Sequence, residues 1–290
     1  MDRLVALSDD LASAVERAGR TVLTVHGRPR LPSSGIHWRP GLVVTASHTV
    51  RAEEDITVTR PDGRPVPARL AGRDPALDVA VLTIEASELA VADIGDSAAV
   101  RVGHVVLAVG AGPRASWGVV SAIGAAPGAG ESDVFSLDLT LYPGFSGGPL
   151  VDARGAVVGL TTSGASRHLH VAIPTTTVSR VVDDVVRHGR IRRPFLGVGT
   201  QPVQLPEAHG SGRRTAVIVV EVQPGSPAAG ALLIGDVILS IDGKPIADPF
   251  DLRAVLRAAP IGQRVSVAVL RAGQARSVEL VVGERPGGAR

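Results

Sequence analysis

The chain has no cysteine among its 290 residues, so no disulfide can brace it and no thiol can serve as a nucleophile or metal ligand. Aromatic residues make up only 2% of it, and Lys244 is the sole lysine within a Lys+Arg total of 30. The short basic clusters Arg190-Ile-Arg-Arg193 and Arg213-Arg214 lack interleaved aromatics and read as solvated surface rather than as a nucleic-acid site. A formal net charge of +2 calls for no strongly charged partner. No apolar run approaches the ~18 residues of a membrane span. The first ten residues hold only the apolar stretch Leu4–Leu7, too short for the core of a secretory leader. As it stands, the sequence is expected to be cytoplasmic, and extracytoplasmic if a leader precedes it.

What the chain does have is enough apolar residue, 44%, to fill more than one core, and its length suggests about two domains. Ser8–Arg17 reads as an opening helix, with Ser8 as its cap and Leu11 and Val15 on one face. From Thr21 to about Asp96, short valine-rich strands such as Ile56–Thr59 alternate with turns such as Pro61-Asp-Gly63, as in a β-barrel. A second barrel follows to about Pro174. Thr177–His188 then places Val178, Val181, Val182, Val185 and Val186 at helical spacing, with Gly189 as the stop.

Three segments carry the chemistry. Tyr142-Pro-Gly-Phe-Ser146-Gly-Gly-Pro-Leu150 holds a serine among glycines, between the β-patterned run 134–140 and the apolar run Pro149-Leu-Val151, which is followed by 155–160. His48 closes the strand Leu42–Ala46, and Asp78 opens the strand Val79–Leu82. A serine hydroxyl needs a base within hydrogen-bond reach and a third group to orient that base, and these three residues can supply the set. Two have ordinary alternatives: a turn or linker for the glycine-rich string, and a satisfied surface or core residue for His48. A buried, unpaired carboxylate is costly, however, and demands a partner. Asp74, in Arg-Asp-Pro, reads as a turn residue. The order His, Asp, Ser favours a chymotrypsin-like double β-barrel over the subtilisin or α/β-hydrolase arrangements. Gly144, Gly147 and Gly148 allow a tight turn that can aim backbone N–H groups, those of Gly144 and Ser146, at an oxyanion.

These motifs resemble those of the HtrA/Deg family of ATP-independent serine proteases. Thr45-Ala-Ser-His48-Thr-Val50, Asp74-Pro-Ala-Leu-Asp78-Val-Ala-Val-Leu82 and Asp138–Leu150 carry the resemblance, which extends over nearly the whole chain. It implies a mainly β protein in which residues 1–188 form a trypsin-like protease domain, 189–193 a linker and 194–285 a PDZ domain. It implies His48, Asp78 and Ser146 as the triad, and a narrow, mostly apolar pocket walled by Thr140, Leu141 and the segment Gly159-Leu160-Thr161-Thr162. His170 stands where a small residue is common, and His168 and His170 are alternatively surface residues of a strand. Phe145 stands where the family has Asn.

The resemblance places a carboxylate-binding loop at Phe195-Leu196-Gly197-Val198, where amides near Gly197 receive a peptide C-terminus while the strand edge pairs with its backbone. A strand bulge is the alternative for Gly197. Between Ser226 and Gly235 the chain is one residue shorter than the family pattern, which puts the local helix in question. The expected function is an endopeptidase of unfolded or damaged proteins that needs no cofactor or metal. Its partners are unfolded polypeptides and peptide C-termini, with no nucleic acid and no membrane span. Family trimers pack aromatics near the N-terminus, and this chain has none before Trp38, which weakens the implied homotrimer. The rival functions are a peptide-binding chaperone or scaffold with a dormant protease domain, and a non-proteolytic acyl hydrolase.

Overall fold

The computed structural model describes residues 2–51, 54–85, 88–112, 114–125, 133–164, 170–189, 192–205 and 214–285. They fall into two compact units, Met1–Ile191 and Arg192–Arg290. His168, Arg190 and Arg213 lie outside the described residues.

The first unit begins with α1, Asp2–Gly19. This corrects the expected start: Ser8 is inside the helix and caps nothing. No Gly or Pro separates Leu4–Leu7 from the next turn, so the helix propagates through Ser8 to an earlier beginning. Ala14 and Ala18 are buried, and Leu11 and Val15 pack beside them.

Six antiparallel strands then close the first barrel: β1 (Val22–His26), β2 (Ser33–Arg39), β3 (Leu42–Ala46), β4 (Ile56–Thr59), β5 (Pro65–Asp74) and β6 (Val79–Ile84), in the order β1-β2-β3-β6-β5-β4. On β4 the period of two is plain, with Ile56 and Val58 buried and Thr57 and Thr59 half-buried. β3 and β6 instead bury both faces. Val43, Ala80 and Leu82 fill the barrel interior, while Val44, Val79 and Val81 join a second core shared with Leu107, Val109, Leu160 and the helices.

The second barrel comprises β7 (Val105–Gly110), β8 (Arg114–Ala125), β9 (Asp133–Asp138), β10 (Pro149–Asp152), β11 (Val157–Thr162) and β12 (His170–Pro174), closed as β10-β11-β12-β9-β8-β7. α2 (Thr175–His188) follows and buries Val178, Val181, Val182 and Val185, a stripe worth about 1.5 kcal/mol or more per side chain. Val186 departs from the expected face: one position beyond Val185, it rotates about 100° away and is 56% exposed. Gly189, at φ 65°, ends the helix by donating its N–H to the Val185 carbonyl at 2.8 Å.

The second unit is a sheet of β14 (Val198–Gln204), β15 (Thr215–Val222), β16 (Val237–Ile241), β18 (Arg264–Arg271) and β19 (Gln274–Val281), with β17 (Lys244–Pro245) paired to β16. β13 (Pro194–Phe195) pairs with β20 (Gly283–Glu284), and α3 (Pro249–Ala258) is capped by the Asp248 carboxylate. Leu196, Val217, Val219, Ile238, Val267 and Leu280 belong to its core. From Pro224 to Gly235 the chain runs through turns with no helix, in keeping with the shortened sequence there.

One charged pair staples this unit. Asp236, 1% exposed, receives Arg271 Nε on Oδ1 at 2.8 Å and Nη2 on Oδ2 at 2.7 Å, while Leu233 N–H also donates to Oδ2. The Arg271 guanidinium, against the opposing cost of burial, holds the Asp236 carboxyl below its ordinary pKa.

Candidate active site

His48 sits on a single helical turn, Ser47–Thr49, directly after β3. Asp78 immediately precedes β6, the strand that pairs with β3 through Ala46 and Val79. That register brings two residues 30 apart in sequence side by side. His48 N–H donates to Asp78 Oδ1 at 2.8 Å, and His48 Nδ1 lies 2.8 Å from Oδ2. Asp78 takes the left-handed conformation, φ 54°, and Ser47 N–H holds its carbonyl at 3.1 Å. An ionised carboxylate only accepts hydrogen bonds, so Nδ1 carries the proton and a neutral His48 keeps its lone pair on Nε2. Among the described residues, Nε2 has no hydrogen-bond partner.

Asp74, by contrast, turns its Oδ1 to the N–H groups of Ala76 and Leu77, at 2.9 and 3.2 Å, as a turn residue does.

Ser146 comes from the other barrel, on the turn before β10. The first barrel holds that turn: Ser34 N–H donates to the Ser146 carbonyl at 3.0 Å, and Ser34 Oγ donates to the Gly144 carbonyl at 2.7 Å. Gly147 has φ 87°, and a Cβ there would lie 2.2 Å from the Ser34 oxygen and 2.3 Å from Thr45 Oγ1, so no larger residue fits. Phe145 turns inward and is fully buried. Its ring meets Tyr142 edge-on at 5.7 Å and fills the space where a side chain on Gly110 would stand. The backbone N–H groups of Gly144 and Ser146 have no hydrogen-bond partner among the described residues. Two unspent donors beside a serine are what an oxyanion would need.

The Ser146 hydroxyl itself points to Ser163: the two Oγ atoms are 2.9 Å apart, and Ser163 N–H donates to Ser146 Oγ at 3.2 Å. Nothing in the sequence reading singled out Ser163 or its neighbour Gly164. A Cβ on Gly164 would stand 2.4 Å from His48 Nδ1 and 2.8 Å from Asp78 Oδ2, so the chain lies flat over the His–Asp pair.

Thr161 and Thr162, expected to wall a pocket, are fully buried with their hydroxyls committed elsewhere. Thr161 Oγ1 donates to the Phe145 and Gly148 carbonyls at 2.9 and 3.0 Å, and Thr162 Oγ1 donates to Asp78 Oδ2. Thr162 reaches across to the first barrel and Thr161 lies against the Ser146 turn, so neither hydroxyl faces an open pocket. Thr140 and His170 are exposed, and Leu141 is half-buried against the second-barrel core.

In the second unit, Leu196 is buried and Gly197 has φ 83°. A Cβ on Gly197 would meet Ser226 Cβ at 2.1 Å. The carbonyls of Leu196 and Gly197 accept from Ala228 and Gln223, at 2.9 and 2.8 Å, whereas their N–H groups have no partner among the described residues. The loop thus keeps two amides uncommitted.

Residues 33–160 match the trypsin-like peptidase domain, and residues 194–282 match the PDZ domain. The chain is 33% identical over 287 residues to Protease Do-like 1, chloroplastic, of Arabidopsis thaliana, an alignment covering 89% of this chain and 65% of that protein. It is 35% identical over 269 residues to the probable periplasmic serine endoprotease DegP-like of Pseudomonas fulva, covering 88% and 56%. The chain therefore spans a little over half the length of these relatives. Among solved structures, the HtrA-type protease AlgW with decapeptide superposes with a TM-score of 0.82 at 31% identity, covering 96% of this chain and 99% of that one. The serine endoprotease from Yersinia pestis gives 0.78 at 30%, covering 94% and 97%. Among the described residues, no helix is long and apolar enough to cross a membrane.

Proposed function

This chain belongs to the HtrA/Deg family of serine proteases, and we propose that it is an ATP-independent endopeptidase of unfolded or damaged proteins. The observation that carries the reading is the pairing of His48 with Asp78, which leaves Nε2 unspent, while the adjoining Ser163 and Gly164 bond Ser146 Oγ and lie against the His48–Asp78 pair. In the proposed reaction Ser146 Oγ exchanges its Ser163 partner for His48 Nε2. As the Oγ–carbon bond forms, His48 takes the hydroxyl proton, and the Gly144 and Ser146 amides receive the oxyanion. His48 returns the proton to the leaving amine as the C–N bond breaks. Water, activated by the same base, then releases the acyl group as an acid. Asp78 holds the His48 tautomer throughout.

Substrate choice belongs to the same proposal. Leu141 and the absence of a carboxylate at Thr140, Leu141, Gly159 and Leu160 suit Val, Ala or Ile before the scissile bond. The PDZ loop at Phe195–Val198 captures peptide C-termini through its free amides, in keeping with a family domain of that kind. A homotrimeric assembly and an extracytoplasmic site of action complete it, the latter favoured by a relative whose name is periplasmic.

Labelling with a fluorophosphonate and cleavage of casein test the reading together. Both should occur in the unsubstituted chain and vanish in Ser146→Ala with the fold intact. Casein cleavage persisting in Ser146→Ala would sink the assignment, and peptide binding without any labelling would favour a dormant scaffold.

A further inference from the structure

An oxyanion donor is aimed by its peptide plane. In a planar trans unit the C=O and the following N–H point in opposite directions, so whatever grips the carbonyl also aims the amide. The Ser146 N–H shares its unit with the Phe145 carbonyl, which is held by Gly148 N–H at 2.8 Å and Thr161 Oγ1 at 2.9 Å. The Gly144 N–H shares its unit with the Pro143 carbonyl. Among the described residues that oxygen is held by a single group, Arg114 Nη1, at 3.1 Å.

The Pro143–Gly144 unit is also the one with least intrinsic restraint, because Gly144 carries no side chain and sits at φ 91°. Arg114 is built to supply the restraint. Its Nε donates to the Ala111 carbonyl at 3.1 Å, and its guanidinium lies 5.5 Å from the centroid of the buried Phe145 ring. Its Nη2 is 3.0 Å from where a Gly144 Cβ would stand. A planar cation locked at one end and stacked on a fixed ring can hold a carbonyl in one direction, which a mobile ammonium would do less well.

We propose that Arg114 is a positioning residue for the oxyanion hole, fixing the Pro143–Gly144 peptide so that the Gly144 N–H faces the reacting carbonyl. The inference rests on the reading of Ser146 as nucleophile. Arg114 touches no substrate; it acts through the peptide it grips.

Two measurements decide it. In steady-state peptide hydrolysis, Arg114→Ala should lower kcat about 10- to 100-fold at little changed KM, below the loss of a whole oxyanion donor, and Arg114→Lys should recover part of it. Separately, labelling with carbonyl-¹³C proline and ¹⁵N glycine isolates the five Pro–Gly amides, at 40–41, 127–128, 143–144, 224–225 and 286–287. Pro143→Ala identifies the 143–144 signal by removing it. In Arg114→Ala that signal should shift or broaden while the other four stay in place. An unmoved 143–144 resonance, an unchanged kcat, or a rise in KM alone overturns the proposal. If the unsubstituted chain shows no Ser146-dependent turnover, the protease reading falls, and the resonance still decides whether Arg114 holds the peptide.

Discussion

Thr162 Oγ1 donates to Asp78 Oδ2, the same oxygen that accepts His48 Nδ1, so two groups from different barrels converge on one carboxylate. With His48 N–H on Oδ1, the carboxylate has its plane fixed from three directions. A buried charge so fully bonded is both satisfied and immobile. Asp78→Asn should therefore reduce turnover on the order of 10⁴-fold, through the wrong His48 tautomer. Thr162→Val, which keeps the shape and removes the donor, should cost about tenfold in kcat with KM little changed, since a hydrogen bond to a charged group contributes about 1.5–3 kcal/mol. Asp74→Asn should leave kcat within about threefold, because its oxygen caps a turn and an amide oxygen can do the same. Steady-state kinetics on the three variants separates these outcomes, and a larger loss at Asp74 than at Asp78 would mean the wrong carboxylate has been assigned.

Gly164→Ala tests the segment that covers the pair. The added methyl would stand 2.4 Å from His48 Nδ1, well inside contact distance, so the ring or the backbone must yield. Activity should fall about 100-fold, as displacement of a reacting group by about 1 Å does. Thermal unfolding should change little, because Gly164 is exposed on its other side. Wild-type kcat in this variant would show that the His48 geometry is not as tight as the contact implies.

The loop at Phe195–Val198 predicts a dependence on terminal charge. A peptide with a free apolar C-terminus should bind more tightly than its amidated form, by about tenfold or more, since the free amides of Leu196 and Gly197 lose a charged acceptor. Gly197→Val should weaken binding similarly: its Cβ would collide with Ser226, and φ 83° disfavours a β-branched residue. Fluorescence anisotropy with the Ser146→Ala chain avoids cleavage of the probe. Equal affinity for acid and amide would make the loop a structural element.

Acid should loosen the second unit through Asp236. Its folded pKa lies below the unfolded value of about 3.9, so its stabilising contribution is complete above that pH and is lost as pH falls through the folded value. Replacing Arg271 by Leu removes the principal cause of the depression, and the acid-unfolding midpoint of this unit should move to higher pH. Hydrogen exchange followed by peptide mass spectrometry, which resolves β15, β16 and β18 separately from the barrels, would register the change. A midpoint that stays in place would show that the pair contributes nothing to acid resistance.

Much of this was legible in the chain because it is local. Val79–Leu82 and Leu42–Ala46 read as strands from their apolar runs, Gly189 reads as a helix stop, and the serine turn stands out by its glycines. What was not legible depends on direction rather than on type. A threonine in an apolar strand gives no sign of which way its hydroxyl points. Thr162 reaches a carboxylate 84 residues away only because β11 packs against β3, the strand whose pairing with β6 sets Asp78 beside it. Ser163 and Arg114 are unremarkable in composition, and their importance comes from what the fold sets beside them. The early start of α1 was hidden because Ser8 is as good a cap as it is a tolerated interior residue. Val186 extends a valine pattern that the 3.6-residue turn carries off the buried face.

Phe145 and Gly110 divide a single volume. The ring carbons lie 2.6–2.7 Å from the point where a methyl on residue 110 would begin, so whatever one position gains in bulk the other must give up. Gly110→Ala alone would press on the ring that supports Arg114, and Phe145→Leu alone would leave a void behind Ser146. Redesign of this turn is therefore a two-position problem: the strand end at 110 and the residue before Ser146 have to be chosen as a pair, and libraries that vary either one singly will sample mostly clashes and cavities.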